Sequence, residues 1–176
     1  MSRVLSGRGT IKTMLKNSRD FKLALTIGDK GESVVWMWLR FLYGDNLKHV
    51  SEYHPAGSRW DNIVLPDFLI KTPEEKTFIE VKMKKGWKGY LNINCSQVKD
   101  YLKIAEKAKA KLFVYFICTT DGKMYSISAD KLKKPANTLK DRDGKEFFLY
   151  DKEEQEVIMQ GMPPAIFNSD LLKTKA

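Results

Sequence analysis

Apolar residues along the chain occur in short blocks separated by turn-forming and charged residues, and the spacing within each block predicts an element. The first dense block, residues 33–43, follows Asp29 and ends before Gly44. Asp is a favoured helix N-cap and Gly a favoured residue after a helix end, so a buried helix is predicted over residues 30–43. Residues 47–53 are predicted to form the first strand.

Two shorter blocks, residues 63–70 and 77–83, are rich in β-branched and aromatic residues, and a polar stretch that contains Pro73 separates them. This pattern predicts a hairpin of two strands. The segment before them, residues 54–62, combines turn formers with polar groups and is predicted to be a loop.

Apolar residues then recur at helical spacing over residues 97–109, where Ser96 is the predicted N-cap. The nearly continuous apolar run of residues 112–119 is typical of a strand that is buried on both faces. An Asp-Gly pair after it predicts a tight turn into a further strand over residues 123–129.

The predicted order of elements favours the α/β class, with a mixed central sheet and helices packed against it in a single domain. We divide the chain into a basic N-terminal arm (1–27), a core (28–129) and a C-terminal extension (130–176) that packs on the core or trails from it. In the extension only residues 146–150 predict another strand. A chain of 176 residues is long enough for one packed domain.

Composition limits the kinds of site that the chain can build. Cys95 and Cys118 are too few for a disulfide framework or a four-thiolate metal site, and two histidines are too few for a His-rich zinc site. Any metal is therefore bound mainly by carboxylate oxygens, which favours Mg²⁺ or Mn²⁺. No apolar run is long enough to span a membrane and no secretory signal is visible, so we expect a soluble cytoplasmic protein.

Positive charge is concentrated in two segments of the chain, which has a formal net charge of +9. Residues 1–31 contain seven Lys or Arg and two acidic residues, and residues 82–111 contain nine Lys and two acidic residues. Such clustering suits a polyanionic partner, above all a nucleic acid. A solvated Lys-rich surface explains the charge equally well, whereas an acidic lipid surface lacks the amphipathic basic helix that it needs.

Asp67, Glu80 and Lys82 carry the clearest chemical signal. Side chains alternate along a strand, so Glu80 and Lys82 project from one face, and Asp67 lies in the neighbouring strand of the predicted hairpin. Two carboxylates and an amine inside an apolar sheet need a partner, since unpaired buried charge is costly. A divalent cation between the carboxylates supplies one, and with Lys82 acting on an attacking water the arrangement would hydrolyse a phosphodiester.

A structural explanation of the same residues stays open. Asp67 would then cap a turn, and Glu80 and Lys82 would form an ion pair on the solvated face of an edge strand. The Glu-x-Lys triplet does not decide between the two, because it also occurs in a predicted loop at residues 74–76. What distinguishes residues 80–82 is their place within an apolar strand, just downstream of a Pro-Asp pair.

Residues 65–70 (LPDFLI) followed by residues 78–82 (FIEVK) resemble the signature of the PD-(D/E)xK nuclease superfamily. The resemblance covers about residues 28–128 and implies a restriction-endonuclease-like fold. It further implies that Mg²⁺ or Mn²⁺ is bound by Asp67, Glu80 and the backbone carbonyl of Val81. Lys82 would act on the attacking water.

Two further positions resemble elements of this superfamily. Glu32 matches the acidic residue that many members use to hold a second metal ion or its waters, although with Asp29 it also fits a capping box. Gln97 and Tyr101 match a Gln-xxx-Tyr element, which makes Gln97 a candidate catalytic residue. Gln97 is otherwise an ordinary polar residue at a helix start, and Tyr101 is expected to pack against the sheet.

Within the superfamily, a short basic chain with this order of elements is most similar to the archaeal-type Holliday-junction resolvases and their phage-encoded relatives. Arg8 or Lys12 and Ser58 are the counterparts of an early basic residue and of a Ser-containing loop. Enzymes of this kind cut two strands as symmetric dimers, so the resemblance implies a homodimer.

Basic and aromatic residues around the predicted site are candidates for nucleic-acid binding. Residues 83–94 interleave lysines with Trp87 and Tyr90, so charge there can grip phosphates while rings stack on exposed bases. Lys99 begins a row of lysines along one helical face, which is either a phosphate-contacting stripe or a solvated surface. The full set of candidates is Arg8, Lys12, Ser58, Arg59, Lys84, Lys85, Trp87, Lys88 and Lys99.

The sequence thus predicts a metal-dependent DNA endonuclease, with the four-way junction as a candidate substrate. Its predicted catalytic residues are Asp67, Glu80, Lys82, Glu32 and Gln97. One alternative is an exonuclease, a restriction-type enzyme or an RNA-cleaving enzyme of the same superfamily. The other is a non-catalytic nucleic-acid-binding module in which the carboxylates are structural.

Overall fold

A computed structural model of the chain describes residues 19–50 and 63–161. Within these ranges the helices are α1 (Arg19–Tyr43), α2 (Cys95–Ala108) and α3 (Ala129–Leu132), and a 3-10 turn at Gly44–Asn46 follows α1. The strands are β1 (Leu47–His49), β2 (Phe68–Lys71), β3 (Lys76–Lys84), β4 (Tyr90–Asn94), β5 (Lys111–Cys118), β6 (Lys123–Ser128), β7 (Asn137–Lys140), β8 (Glu146–Asp151) and β9 (Glu156–Met159).

The described strands form a main sheet in the order β1-β2-β3-β5-β6-β9 and a smaller sheet in the order β4-β8-β7. In the main sheet β3 and β5 are parallel and the other neighbours are antiparallel, so the sheet is mixed. A parallel pair needs a crossover connection, and the segment that contains β4 and α2 supplies it. The predicted α/β class and the predicted β2–β3 and β5–β6 hairpins are confirmed.

Helices cover both faces of the main sheet. On one face α1 contributes Val35 and Leu39 to a buried cluster that includes Ile79 of β3. On the other face α2 packs Val98 into a second cluster with Phe78. Alternate residues of β3 therefore face opposite helices, and Glu80 projects on the α2 side.

The first helix is longer than predicted, because α1 spans Arg19–Tyr43 and so includes residues 19–29, which the prediction left outside it. Asp29 lies inside α1, so its predicted N-cap role is wrong. Gly31 has a packing function instead, since a Cβ at this position would lie 2.8 Å from the Cβ of Met83. The glycine lets α1 approach β3 closely.

The second helix also begins earlier than predicted. Asn94, not Ser96, is its N-cap, because the Asn94 side-chain oxygen accepts the backbone N–H of Ser96 at 2.9 Å and the Ser96 hydroxyl at 2.6 Å. The predicted loop at 83–94 is shorter than expected, since β3 extends to Lys84 and β4 begins at Tyr90.

The C-terminal segment contributes strands to both sheets. β9 pairs with β6 at one end of the main sheet, while β8 pairs with β4 and β7 in the smaller sheet. The predicted strand at 146–150 is confirmed as β8, whereas β7 and β9 were not predicted. No helix in the described part of the chain is long and apolar enough to cross a membrane.

Candidate active site

Asp67 lies at the point where the β2–β3 hairpin opens. The first paired residues are Phe68 and Ile79, so β3 continues beyond the start of β2. At this point the Asp67 side chain supplies the hydrogen-bond acceptor that a neighbouring strand would otherwise supply. Its Oδ2 accepts the backbone N–H of Val81 at 2.8 Å. The Asp67 carbonyl in turn accepts the N–H of Val50 at 3.1 Å, which fixes the residue from both sides.

Glu80 is buried within β3, with 3% of its surface exposed. Its Oε1 accepts a hydrogen bond from the Lys82 ammonium group, and the two form an ion pair. Its Oε2 is buried and has no hydrogen-bond partner among the described residues. A buried carboxylate oxygen without a donor is unusual, and it marks a position where a positively charged ligand would be stabilised.

Lys82 connects the strand to α2. Its ammonium group donates to Glu80 and lies 3.2 Å from the hydroxyl oxygen of Tyr101, a buried residue of α2. The Tyr101 ring also lies beneath the ammonium, with Nζ 5.6 Å from the ring centroid. Lys82 is thus held in one place by a carboxylate and a phenol while a fifth of its side chain remains exposed.

The electrostatics of the cluster show an excess of negative charge. Burial raises the pKa of Asp67 well above its ordinary value, and the nearby carboxylates of Glu80 and Glu32 raise it further. Burial alone would lower the pKa of Lys82, but Glu80 and Asp67 outweigh it and the pKa is raised. Lys82 is therefore charged at neutral pH, and one ammonium group faces several carboxylates.

The residues present fit a divalent cation. Asp67 and Glu80 offer carboxylate oxygens, one of them without a donor, and an additional positive charge would relieve the repulsion that raises the Asp67 pKa. In a strand the N–H and C=O of one residue point to the same edge, so the Val81 carbonyl lies on the edge that faces Asp67. These oxygens are the ligand type that Mg²⁺ and Mn²⁺ prefer.

Glu32 acts on this cluster from α1, on the opposite face of β3. Its charge raises the pKa values of Asp67 and Lys82. Among the described residues, no three His, Cys, Asp or Glu side chains are grouped as metal ligands, so the predicted role of Glu32 at a metal stays a prediction. The capping-box alternative is wrong, because α1 does not begin at Asp29.

The alternative of a solvated edge-strand ion pair is also wrong. β3 lies between β2 and β5 in the interior of the main sheet, and Glu80 is buried there. A buried ion pair on an interior strand needs compensating interactions that a surface pair does not need.

Gln97 lies in the first turns of α2 and forms no hydrogen bond with Asp67, Glu80 or Lys82 in the described structure, so its catalytic role stays a prediction. Tyr101 packs against the sheet as expected, and its hydroxyl also enters the site. The sequence feature that could have indicated the contact between Tyr101 and Lys82 is a tyrosine, with its polar hydroxyl, at a buried helical position.

The predicted nucleic-acid contacts are only partly within the described structure. Lys84 is the last residue of β3. Its ammonium lies 5.8 Å from the Phe116 ring centroid and 5.4 Å from that of Phe147, and burial and Lys82 lower its pKa to about 7.

The other predicted contacts within the described residues lie at the surface. Lys99 is exposed on α2. Lys85, Trp87 and Lys88 are exposed in the turn after β3. Arg8, Lys12, Ser58 and Arg59 lie outside the described residues.

Comparison with known proteins finds similar folds among solved structures. No protein-family model matches the chain, and no curated protein matches it. Among solved structures, the Holliday junction resolvase Hjc of the archaeal hyperthermophile Archaeoglobus fulgidus is similar, with a TM-score of 0.48 and 17% sequence identity. The alignment covers 72% of this chain and 89% of that chain. This likeness assigns no role to any residue, and the candidate site rests on the geometry described above.

Proposed function

We propose that the protein is a metal-dependent nuclease that hydrolyses phosphodiester bonds in DNA, with Asp67, Glu80 and Lys82 at its active site. The observation that carries the proposal is the buried Glu80 carboxylate, whose free oxygen lies in a cluster that has more acidic than basic groups. Structural carboxylates in a sheet interior would be fully paired, whereas a cation site leaves oxygens available.

Each side chain has a distinct part in this proposal. Asp67 and Glu80, with the carbonyl of Val81, would hold Mg²⁺ or Mn²⁺. When bound there, the ion supplies positive charge against the phosphate oxygens and lowers the pKa of water. Lys82 is held charged by Glu80, so it donates a hydrogen bond and stabilises negative charge on the phosphate.

Tyr101 and Glu32 would support these groups rather than react. Tyr101 restricts Lys82 to one position through its hydroxyl and its ring. Glu32 adds negative charge that strengthens cation binding and keeps Lys82 protonated.

We extend the proposal to the substrate, the compartment and the oligomeric state. The enzyme would be an endonuclease of the cytoplasm that acts on branched DNA such as a four-way junction, and a homodimer would place one site on each of two strands. The concentrated positive charge of residues 82–111 favours a nucleic-acid substrate.

A cleavage assay tests the activity. Labelled four-way junction, continuous duplex, single-stranded DNA and RNA are incubated with Mg²⁺ or Mn²⁺ and with wild type, Asp67→Ala, Glu80→Ala or Lys82→Ala. We expect metal-dependent cutting that falls on the order of a thousandfold in each variant, because Asp67→Ala and Glu80→Ala each lose a ligand of the cation and Lys82→Ala loses the positive charge that faces the phosphate.

Glu74→Ala is the matched control, since Glu74 belongs to the other Glu-x-Lys triplet and is exposed beside β3. It should cut as wild type does. Equal cutting by wild type and the three site variants would overturn the active-site assignment, and binding without cutting under either metal would favour a non-catalytic module.

A further inference from the structure

The turn between β3 and β4 has a defined backbone geometry. Trp87 and Tyr90 exchange two backbone hydrogen bonds, each of 2.8 Å, around a two-residue turn. Lys88 and Gly89 in this turn have φ values of +45° and +86°. Two consecutive positive φ angles are those of a type I′ turn, which matches the twist of a hairpin. We refer to residues 86–90 as the Trp87 hairpin.

The Trp87 hairpin is anchored by a distant part of the chain. The Lys152 backbone N–H, just after β8, donates to the carbonyl of Gly89 at 3.1 Å. The side chain of Lys152 passes so close to Gly86 that a Cβ there would lie 2.8 Å from Lys152 Cε. Any larger residue at position 86 would therefore displace the lysine.

An ion-pair network holds Lys152 in this position. Its ammonium lies 2.8 Å from a carboxylate oxygen of Asp121, and the same oxygen accepts the hydroxyl of Tyr125 at 2.8 Å. The Lys152 and Asp121 side chains are only 16% and 27% exposed. A partly buried ion pair contributes little net stability but fixes geometry. The pair joins the β5–β6 turn to the end of β8 and so supports the hairpin.

The supported hairpin presents an aromatic ring to solvent. Trp87 is 37% exposed, and the ammonium of Lys88 lies 5.1 Å from the Trp87 ring centroid. Lys85 is exposed just before the hairpin. An exposed ring with an ammonium group beside it and a second lysine close in sequence suits a flat, negatively charged partner, and nucleotides have this chemistry.

The position of the ring restricts which nucleotides can reach it. The hairpin follows directly from β3, whose residues Glu80 and Lys82 belong to the candidate active site. Bases within a continuous duplex are stacked on both faces and offer no surface to a side chain. A base without one stacking neighbour, as at a strand end, a gap or a branch point, does offer one.

We propose that the Trp87 hairpin is a preformed stacking surface for an unstacked base of the nucleic-acid substrate, and that Lys152 and Asp121 are its positioning residues. The proposal rests on the nuclease function proposed above and specifies its substrate class, namely DNA that offers an unstacked base. It also gives a role to Lys152, which follows β8.

Binding in EDTA tests the stacking surface without cleavage. A continuous duplex is compared with the same duplex carrying a gap, in which 2-aminopurine at the gap reports stacking by its fluorescence. We expect wild type to bind the gapped DNA about tenfold more tightly and to quench the probe. Trp87→Ala should lose both effects, and Trp87→Phe should retain part of each.

Phe41→Ala is the control for loss of an exposed aromatic residue, because Phe41 is 87% exposed on α1, away from the hairpin. It should keep the preference for gapped DNA. An unchanged preference and unchanged quenching in Trp87→Ala would overturn the proposal.

The positioning role is tested by a double-mutant cycle. Lys152→Met and Asp121→Asn should each reduce the preference for gapped DNA, and neither should reduce it further when Trp87 is already Ala. Lys152→Arg should restore part of the effect. If Lys152→Met or Asp121→Asn weakened the preference for gapped DNA as much in Trp87→Ala as in wild type, these residues would not act through the ring.

The two proposals fail in different assays. If the Asp67, Glu80 and Lys82 variants cut as wild type does while the Trp87-dependent preference persists, the active-site assignment fails and the stacking surface stands. If cutting is lost in those variants but Trp87→Ala keeps the preference for gapped DNA, the stacking surface fails and the nuclease stands.

Discussion

Two opposing effects act on the Asp67 carboxylate in the protein without a bound cation: a hydrogen bond favours the charged form, and burial and nearby acidic groups disfavour it. The carboxylate accepts the N–H of Val81, yet burial, Glu80 and Glu32 raise its pKa well above the ordinary value of 3.8. An acid whose pKa is higher in the folded than in the unfolded protein loses stability as the pH rises from the lower to the higher value. The fold is therefore less stable at neutral pH than it would be if the pKa of Asp67 had its ordinary value.

Asp67→Asn should consequently stabilise the metal-free protein at neutral pH, by on the order of 1 kcal/mol. Asn keeps an oxygen that can accept the Val81 N–H and removes the charge that Glu80 repels. Thermal denaturation in EDTA measures the effect, and Mg²⁺ should then stabilise wild type but not the variant. A lower melting temperature for Asp67→Asn in EDTA would contradict this account.

The pKa of Lys84 is shifted in the opposite direction to that of Asp67, because burial and the neighbouring Lys82 lower it to about 7. A lysine with a lowered pKa in the folded state binds fewer protons than in the unfolded state, so stability rises with pH between about 7 and the ordinary value of 10.5. Lys84→Met should remove this part of the pH dependence. Urea unfolding at several pH values measures it, with Lys85→Met at the exposed neighbour as control.

The grouping of these side chains was largely accessible from the sequence. Strand alternation placed Glu80 and Lys82 together, and the Pro-Asp pair identified Asp67. The contact of the Tyr101 hydroxyl with Lys82 was not predicted, because a helical pattern shows which residues are buried but not what lies above them. The contact of Lys84 with the Phe147 ring was not predicted either, because no local pattern connects Phe147 to β3.

At the scale of elements, the close packing of α1 on β3 requires a glycine at position 31. A Cβ on Gly31 would lie 2.8 Å from Met83 Cβ, which belongs to the strand and cannot move away alone. Gly31→Ala should therefore destabilise the protein by about 1–3 kcal/mol, although Ala is the better helix former. Chemical denaturation measures this, and a stabilising effect would show that α1 does not pack as closely as described.

Met37→Ala is the matched control on the same helix, because Met37 is 72% exposed. Its effect should remain within about 0.5 kcal/mol.

Elements were predicted well where the pattern was local. The hairpins, α2 and β5 each have a continuous apolar or periodic signal. The start of α1 was missed because Asp29 resembles an N-cap before a dense apolar block, whereas the helix runs through this residue. β7 and β9 were missed because each has only four residues; β7 is largely exposed and β9 is mostly half-buried, so no alternation marks either strand.

At the scale of the whole molecule, cutting two strands requires two sites. We expect a homodimer, which sedimentation equilibrium would detect as twice the chain mass of 20.3 kDa. Mixed dimers of wild type and Glu80→Ala should nick one strand of a four-way junction and leave the other intact. Two-strand cutting by a monomer, at the concentration used for cleavage, would contradict the expectation.

The pairing of β4 with β8 has a consequence for the order in which the molecule is made. A nascent chain that has reached Cys118 already contains Asp67, Glu80, Lys82 and Tyr101, and β3 can pair with both of its neighbours. β4 must wait for Glu146–Asp151, and Lys152 follows only then. The strand that carries Glu80 and Lys82 can thus pair with its neighbours before the residues that support the hairpin extending from it have been translated.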